Sequence, residues 1–133
     1  MTIDVTWRAL HNSAVATESA QITTTEDIGP LLARLEGTFG ARLLHRDRDL
    51  LPSGLVDHDV IVGVRDGRAV MLYSDGDIGG WVTVGDNPNT EITYLEYDFP
   101  PHSELPLSIV ERAVEEFRVT GTRPTCVEWQ VAE

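Results

Sequence analysis

Apolar and polar residues alternate with a period of two over Ile3-Asp4-Val5-Thr6-Trp7-Arg8-Ala9. That pattern predicts a strand with one buried face, because successive side chains on a strand point to opposite sides. The polar stretch over residues 11–24 predicts a loop, with a short strand near residues 21–23. Ile28, Leu31, Leu32, Leu35 and Phe39 then recur at helical spacing and form one apolar stripe. Asp27 as N-cap places Pro30 at the third helical position, where its missing amide costs no intrahelical bond. Gly37 and Gly40 supply a stop. Residues 42–54 are charged and contain Pro52, and predict an irregular connection.

The middle of the chain reads as a strand series. Two apolar runs, residues 60–64 and 69–73, flank Arg65-Asp66-Gly67-Arg68, and Asp-Gly between such runs is a strong hairpin signal. Asp75-Gly76-Asp77-Ile78-Gly79-Gly80 predicts a second turn, residues 81–84 a short strand, and residues 85–89 a third turn. Residues 92–99 carry the longest strand pattern, closed by Pro100 and Pro101. Leu107, Val110, Val114 and Phe117 line one helix face with Ala113, opposite Glu111, Arg112, Glu115, Glu116 and Arg118. Pro106, or the Ser108-to-Glu111 spacing, marks the start of this helix and Gly121 its end. Residues 127–131 alternate as a last strand. The expected fold is α+β: a mainly antiparallel sheet of about five to six strands with two helices packed on one face.

At 133 residues and 41% apolar content, the chain suffices for one core and is expected to form one domain over residues 1–133. Charge changes the picture more. Asp plus Glu is 22 against 10 arginines, a net of −12. Residues 1–74 carry 10 acids and 7 arginines (−3), whereas residues 75–133 carry 12 acids and 3 arginines (−9). Such a field repels nucleic acid and favours basic partners. The single cysteine, Cys126, rules out an internal disulfide and a thiolate zinc cluster, and reads as a small structural residue. The opening MTIDVTWRALHNS lacks the basic start and apolar run of a secretion signal, and no apolar stretch approaches the ~20 residues of a membrane span. The expected location is the cytosol.

Catalytic and metal constellations are hard to find. His11, His45, His58 and His102 are scattered, without the i,i+4 pairing of a zinc helix, and read as surface or loop histidines. Asp75, Asp77, Gly80 and Asp86 match positions 1, 3, 6 and 12 of a calcium loop. Position 5 is Gly79, position 12 lacks glutamate and the flanks are strands, so an acidic turn is the better reading. No cofactor and no metal is expected. Strand parity over residues 92–99 puts Thr93, Leu95, Tyr97 and Phe99 on one face and Ile92, Tyr94, Glu96 and Asp98 on the other. On the last strand Val127, Trp129 and Val131 oppose Cys126, Glu128 and Gln130. With helices over the apolar faces, the open side presents Tyr94, Glu96, Asp98 and Glu128, a mixture suited to docking on a basic protein. Trp81 adds either an anchor or a core tryptophan.

The C-terminal half resembles a known family. A Gly-Gly-Trp-Val strand, a strand ending in Phe99-Pro100, a helix start at Leu105-Pro106, Ala113-Val114-Glu115-Glu116-Phe117 and the run from Thr120-Gly121-Thr122-Arg123-Pro124 into Val127-Glu128-Trp129 are similar to Imm-one-type immunity proteins of bacterial polymorphic toxin systems. The likeness covers roughly residues 58–131. It implies a cytosolic protein, made beside a secreted toxin and binding it so that the producer survives. Toxins associated with the family include nucleic-acid deaminases and other nucleic-acid-damaging enzymes. A toxin that acts on phosphate polymers needs a basic groove, which an acidic protein is suited to occlude.

The expected function is therefore inhibition of a toxin with a basic surface, without catalysis and without direct contact to nucleic acid or membrane. Candidate contacts are Asp75, Asp77, Trp81, Tyr94, Glu96, Asp98 and Glu128. A small enzyme using the same carboxylates, or a self-assembling structural module, are the alternatives.

Overall fold

Residues Ile3–His11 (β1) and Ala14–Ile22 (β2) pair along their whole length, from Ile3 opposite Ile22 to His11 opposite Ala14. Asn12 and Ser13 join them, both at positive φ (52° and 67°), the geometry a two-residue hairpin needs to match strand twist. The computed structural model that shows this describes residues 1–36, 38, 40–76, 80–85, 92–94, 97–100 and 102–131, with the backbone alone at 11, 92–94, 97 and 98. β2 replaces the loop expected over residues 11–24. Its inward positions are Ala16, Glu18, Ala20 and Ile22, opposite Ala9, Trp7, Val5 and Ile3. Alternation is present there but low in contrast: two of the four inward positions are alanine and one is glutamate, while the apolar Val15 stands exposed on the other face.

Thr25–Asp27 forms a 3-10 turn and Ile28–Arg34 helix α1, with Pro30 at its third position as expected. The helix is shorter than the apolar stripe. Leu35 caps it, and Glu36 bridges to Val64 instead of continuing the helix. The Glu36 carboxylate accepts the amides of Asp66 and Gly67 at 2.9 and 3.4 Å. A long-range contact thus overrides the local period; Gly37 and Phe39 lie outside the described residues. Ala41–His45 is strand β3, where an irregular connection was expected. Ala41, Leu43 and His45 are buried, while Arg42 points out, so charge disguised a genuine period of two.

His58–Arg65 (β4) and Arg68–Asp75 (β5) form the anticipated hairpin through Asp66 (φ 52°) and Gly67 (φ 73°). Trp81–Thr83 (β6) pairs with β5, Leu105–Pro106 (β9) pairs with the start of β5, and Trp129–Val131 (β10) pairs with β6. Among the described residues the main sheet has eight strands, in the order β10-β6-β5-β4-β3-β1-β2 with β9 beside β5. All its strand pairings are antiparallel. Eight exceeds the expected five to six, because β2, β3 and β9 lack strong hydropathic contrast.

Helix α2, Leu107–Thr120, begins at Pro106 and ends at Gly121, whose φ of 71° is the left-handed cap for which glycine is suited. Val110, Ala113, Val114 and Phe117 of α2 and Ile28, Leu31 and Leu32 of α1 share one core with inward residues of the sheet, including Ile3, Val5, Leu43, Val60, Val62, Met71 and Tyr73. Gly85 allows a second close packing. Its amide donates to the His102 carbonyl at 2.7 Å, and a Cβ there would sit 1.7 Å from the Glu104 carbonyl oxygen.

The opposite face of the sheet is not simply open. Ile61, Val70, Leu72 and Val82 form a smaller cluster there, packed by Phe99. Phe99 belongs to Tyr97–Phe99 (β8), which pairs antiparallel with Ile92–Tyr94 (β7), Tyr94 facing Tyr97. The single strand expected over residues 92–99 is therefore two short strands paired with each other, and the parity argument that put Tyr94, Glu96 and Asp98 on one open face does not apply. Leu95 and Glu96 lie outside the described residues. Further along, the same face carries ion pairs between Arg46 and Asp4 (2.8 Å) and Arg42 and Asp59 (3.3 Å).

Candidate functional site

Polar groups converge where β3, β4 and β5 meet the C-terminal end of α2. Arg48 grips both carboxylate oxygens of Asp57, Nε to Oδ1 at 2.9 Å and Nη2 to Oδ2 at 2.7 Å. Its Nη1 donates to the Gly121 carbonyl at 2.8 Å and to the Tyr73 hydroxyl at 2.9 Å. Tyr73 in turn donates to Asp75 Oδ2 at 2.7 Å. Guanidinium, phenol and two carboxylates thus form one continuous network tied to the helix cap.

Two histidines extend it. The amide of His45 donates to His58 Nε2 at 2.9 Å, so the proton of the His58 ring sits on Nδ1 and is donated to Asp57 Oδ1, also at 2.9 Å. The Asp47 amide donates to His45 Nδ1 at 3.2 Å, which leaves His45 Nε2 to donate to the Arg118 carbonyl at 2.8 Å. Both rings stand edge-on to Phe117, with centroids 5.4 and 5.9 Å away. His45 and His58 are buried, against the surface or loop positions expected of them. Their position could not be read locally, because their partners lie as far as 73 residues away.

The electrostatics follow from these contacts. Hydrogen bonds from Arg48, and from His58 after it, hold the Asp57 carboxyl down at about 2 against an ordinary 3.8. Burial, then the Asp75 carboxylate, push the Tyr73 phenol up to about 12. The Arg48 guanidinium is held still more firmly protonated by Asp57.

An Asp–His pair suggests a general base held by a carboxylate. Here the geometry opposes it: His58 Nε2 already accepts a backbone amide, and its side chain is 1% exposed. Nor is Cys126 an activated thiol, since desolvation and the neighbouring Glu116 carboxylate push it above its ordinary value. Among the described residues no group of three or more His, Cys, Asp or Glu side chains could hold a metal ion. The network is a structural clasp.

Of the expected contact residues, Asp75 is drawn into this clasp, its side chain only 8% exposed. Trp81 is half-buried, with the Arg123 guanidinium 5.1 Å from its ring centre and 5.9 Å from that of Trp129. Glu128 is exposed, and its carbonyl accepts the Val84 amide at 2.9 Å. Tyr94 and Asp98 lie on β7 and β8; Asp77 and Glu96 are outside the described residues. The seven are not brought together as one described patch.

The C-terminal run has clear tasks. Glu116 accepts the Thr125 and Cys126 amides, Trp129 Nε1 donates to the Pro124 carbonyl at 2.8 Å, and Gly121 caps α2. The sequence matches the family model described as Immunity protein Imm1 over residues 16–131. The chain belongs to the Imm1 immunity-protein family. The Imm1 match also takes in most of β2, with β3 and the clasp, beyond the C-terminal likeness over residues 58–131. Among proteins with curated descriptions, none matches. The crystal structure of a hypothetical protein from Neisseria gonorrhoeae is similar in fold, with a TM-score of 0.53 at 13% identity, covering 92% of this chain and 89% of that one. No helix among the described residues of this Imm1 protein is long and apolar enough to cross a membrane.

Proposed function

We propose that this chain is a single-domain, cytoplasmic immunity protein that binds a cognate bacterial toxin and blocks it without catalysing a reaction. The match to the Imm1 model over residues 16–131 carries this reading. Two physical features support it. The most elaborate polar cluster among the described residues is saturated internally, with the ring nitrogens of His45 and His58 all engaged by the protein's own groups. In addition, the net charge of −12 speeds encounter with a basic surface and disfavours nucleic acid as a direct partner.

The proposed mechanism is occlusion of a basic substrate groove, as expected of a toxin that deaminates or cleaves nucleic acid. Glu128, exposed, is available as a contact from the surface. Asp77, Trp81, Tyr94, Glu96 and Asp98 remain candidates from the sequence, and Asp75 acts from within the clasp. The test is co-expression with the toxin domain encoded beside this chain. Cells carrying both survive, and a soluble one-to-one complex is recovered. Equal killing with and without this chain rejects the proposal, as does turnover of a substrate by the isolated protein.

A further inference from the structure

Between β3 and β4 the chain makes a short excursion whose side chains contradict its position. Leu50, Leu51, Leu55 and Val56 are 61, 43, 67 and 40% exposed. Nine large hydrophobic residues are exposed among those described, so four of them fall within seven consecutive positions. Scattered exposed leucines are ordinary; a contiguous set on a single loop signals a surface that another molecule covers.

The loop is also closed by its own contacts. Its base is clamped by the bidentate Arg48–Asp57 pair. Its middle is closed by a bridge between Leu50 and Val56, and its tip by the Leu51 amide on the Leu55 carbonyl and the Gly54 amide on the Leu51 carbonyl, each at 2.8 Å. Gly54 takes the positive φ of 88° that the tight turn requires. A flexible apolar loop would collapse onto the nearest core. This one carries its apolar side chains outward on a hydrogen-bonded frame, which lowers the ordering that association must supply. Cavities of about 280 and 290 Å3 flank the loop, sharing Val56 and His58 in their walls. Around it stand the exposed carboxylates of Asp47, Asp49 and Asp59, of which Asp47 is paired with the N-terminal ammonium at 2.9 Å and Asp59 with Arg42 at 3.3 Å.

We infer that the apolar loop at residues 50–56, with its acidic rim, is the surface this protein presents to the toxin, seating its leucines in an apolar cleft bordered by basic side chains. The inference rests on the immunity reading above and gives it a contact surface. A central apolar anchor ringed by polar groups is the usual anatomy of a tight interface. Charge selects the partner: a second copy of this chain would bring another −12 against the same rim, whereas a basic protein is attracted.

The experiment compares the wild-type protein with Leu51→Ser/Leu55→Ser and with Leu55→Glu alone. The probe is the toxin domain encoded beside this chain, inactivated for binding measurements and active for the survival assay. All of these side chains are exposed, so the variants should keep the wild-type melting temperature. Binding should weaken at least about a hundredfold for the double variant, mainly through faster dissociation, with protection lost in parallel. If wild type protects and both folded variants bind and protect equally well, the loop is not the contact and this inference falls while the immunity reading stands. If wild type itself neither binds nor protects, the immunity reading fails first. Sedimentation of the protein alone supplies the remaining arm: a concentration-dependent dimer abolished by the double variant would assign the loop to self-association and overturn the inference.

Discussion

Arg48 and Asp57 face each other across the neck of the loop at residues 50–56, joined by two parallel hydrogen bonds of 2.9 and 2.7 Å. Their side chains are 18 and 23% exposed, so the pair is mostly withdrawn from solvent. That placement raises the cost of losing either partner, because the one left behind keeps its desolvation without its counter-charge. The Arg48 end also reaches Tyr73 and the Gly121 carbonyl, so the loop is locked to the sheet and to the end of α2 by one side chain.

Asp57→Asn should therefore destabilise the fold by on the order of 1–3 kcal/mol. Urea unfolding checks the size of the loss. The same variant has a pH signature. Asp57 is held at about 2 in the folded protein against 3.8 ordinarily, so its contribution is complete above about pH 4 and disappears as pH falls towards 2. Wild type should lose more stability across that window than its exposed acids alone would cause, and in the variant that component of the acid limb should be missing. An unchanged acid limb would show that the clasp does not govern it.

Tyr73 supplies the alkaline counterpart. Its phenol is raised to about 12 against 10.0, so the unfolded chain ionises first and stability falls as pH rises between those values. Tyr73→Phe should remove that alkaline component while costing roughly 1–2 kcal/mol near neutrality, since the Asp75 carboxylate and Arg48 lose a shared partner. Spectroscopic titration of tyrosinate together with unfolding at several pH values separates the two effects.

Phe117 is fully buried, with its ring edge-on to His45, His58 and Tyr73. Phe117→Ala should cost about 3–5 kcal/mol by leaving a cavity under the clasp. Thermal unfolding measures the loss, and a small loss would mean that the core closes around the gap.

Gly85→Ala tests a backbone contact. The added methyl would meet the Glu104 carbonyl at 1.7 Å, a distance no rotamer change relieves. The segment must shift, at a cost of at least ~1–3 kcal/mol. Hydrogen exchange at the Gly85 amide, now bonded to the His102 carbonyl, should accelerate, and a wild-type rate would contradict the account.

Electrostatic steering gives a prediction independent of the loop. Replacing Glu96, Asp98 and Glu128 by their amides should slow association with the toxin roughly two- to tenfold and flatten its salt dependence. Stopped-flow kinetics at several salt concentrations is the measurement, and unchanged rates would reject those three acids as contributors.

Local pattern alone determined a good part of this protein. The period of two in β1, the Asp66-Gly67 hairpin, and α2 between Pro106 and Gly121 all follow from side-chain alternation, turn chemistry and capping, which act between near neighbours in sequence. So did the α+β class and the acidic field. The tertiary structure decided what depends on distant partners. It made a strand of alanine-rich Ala14–Ile22, ended α1 early so that Glu36 could bond the β4–β5 turn, and paired Ile92–Tyr94 with Tyr97–Phe99 where one strand was expected. It buried His45 and His58, which meet each other, and in the case of His45 the Arg118 carbonyl, only when β3, β4 and α2 pack. The leucines of residues 50–56 were visible in the sequence but not their exposure, because whether an apolar side chain finds a core is settled by the packing of the whole chain.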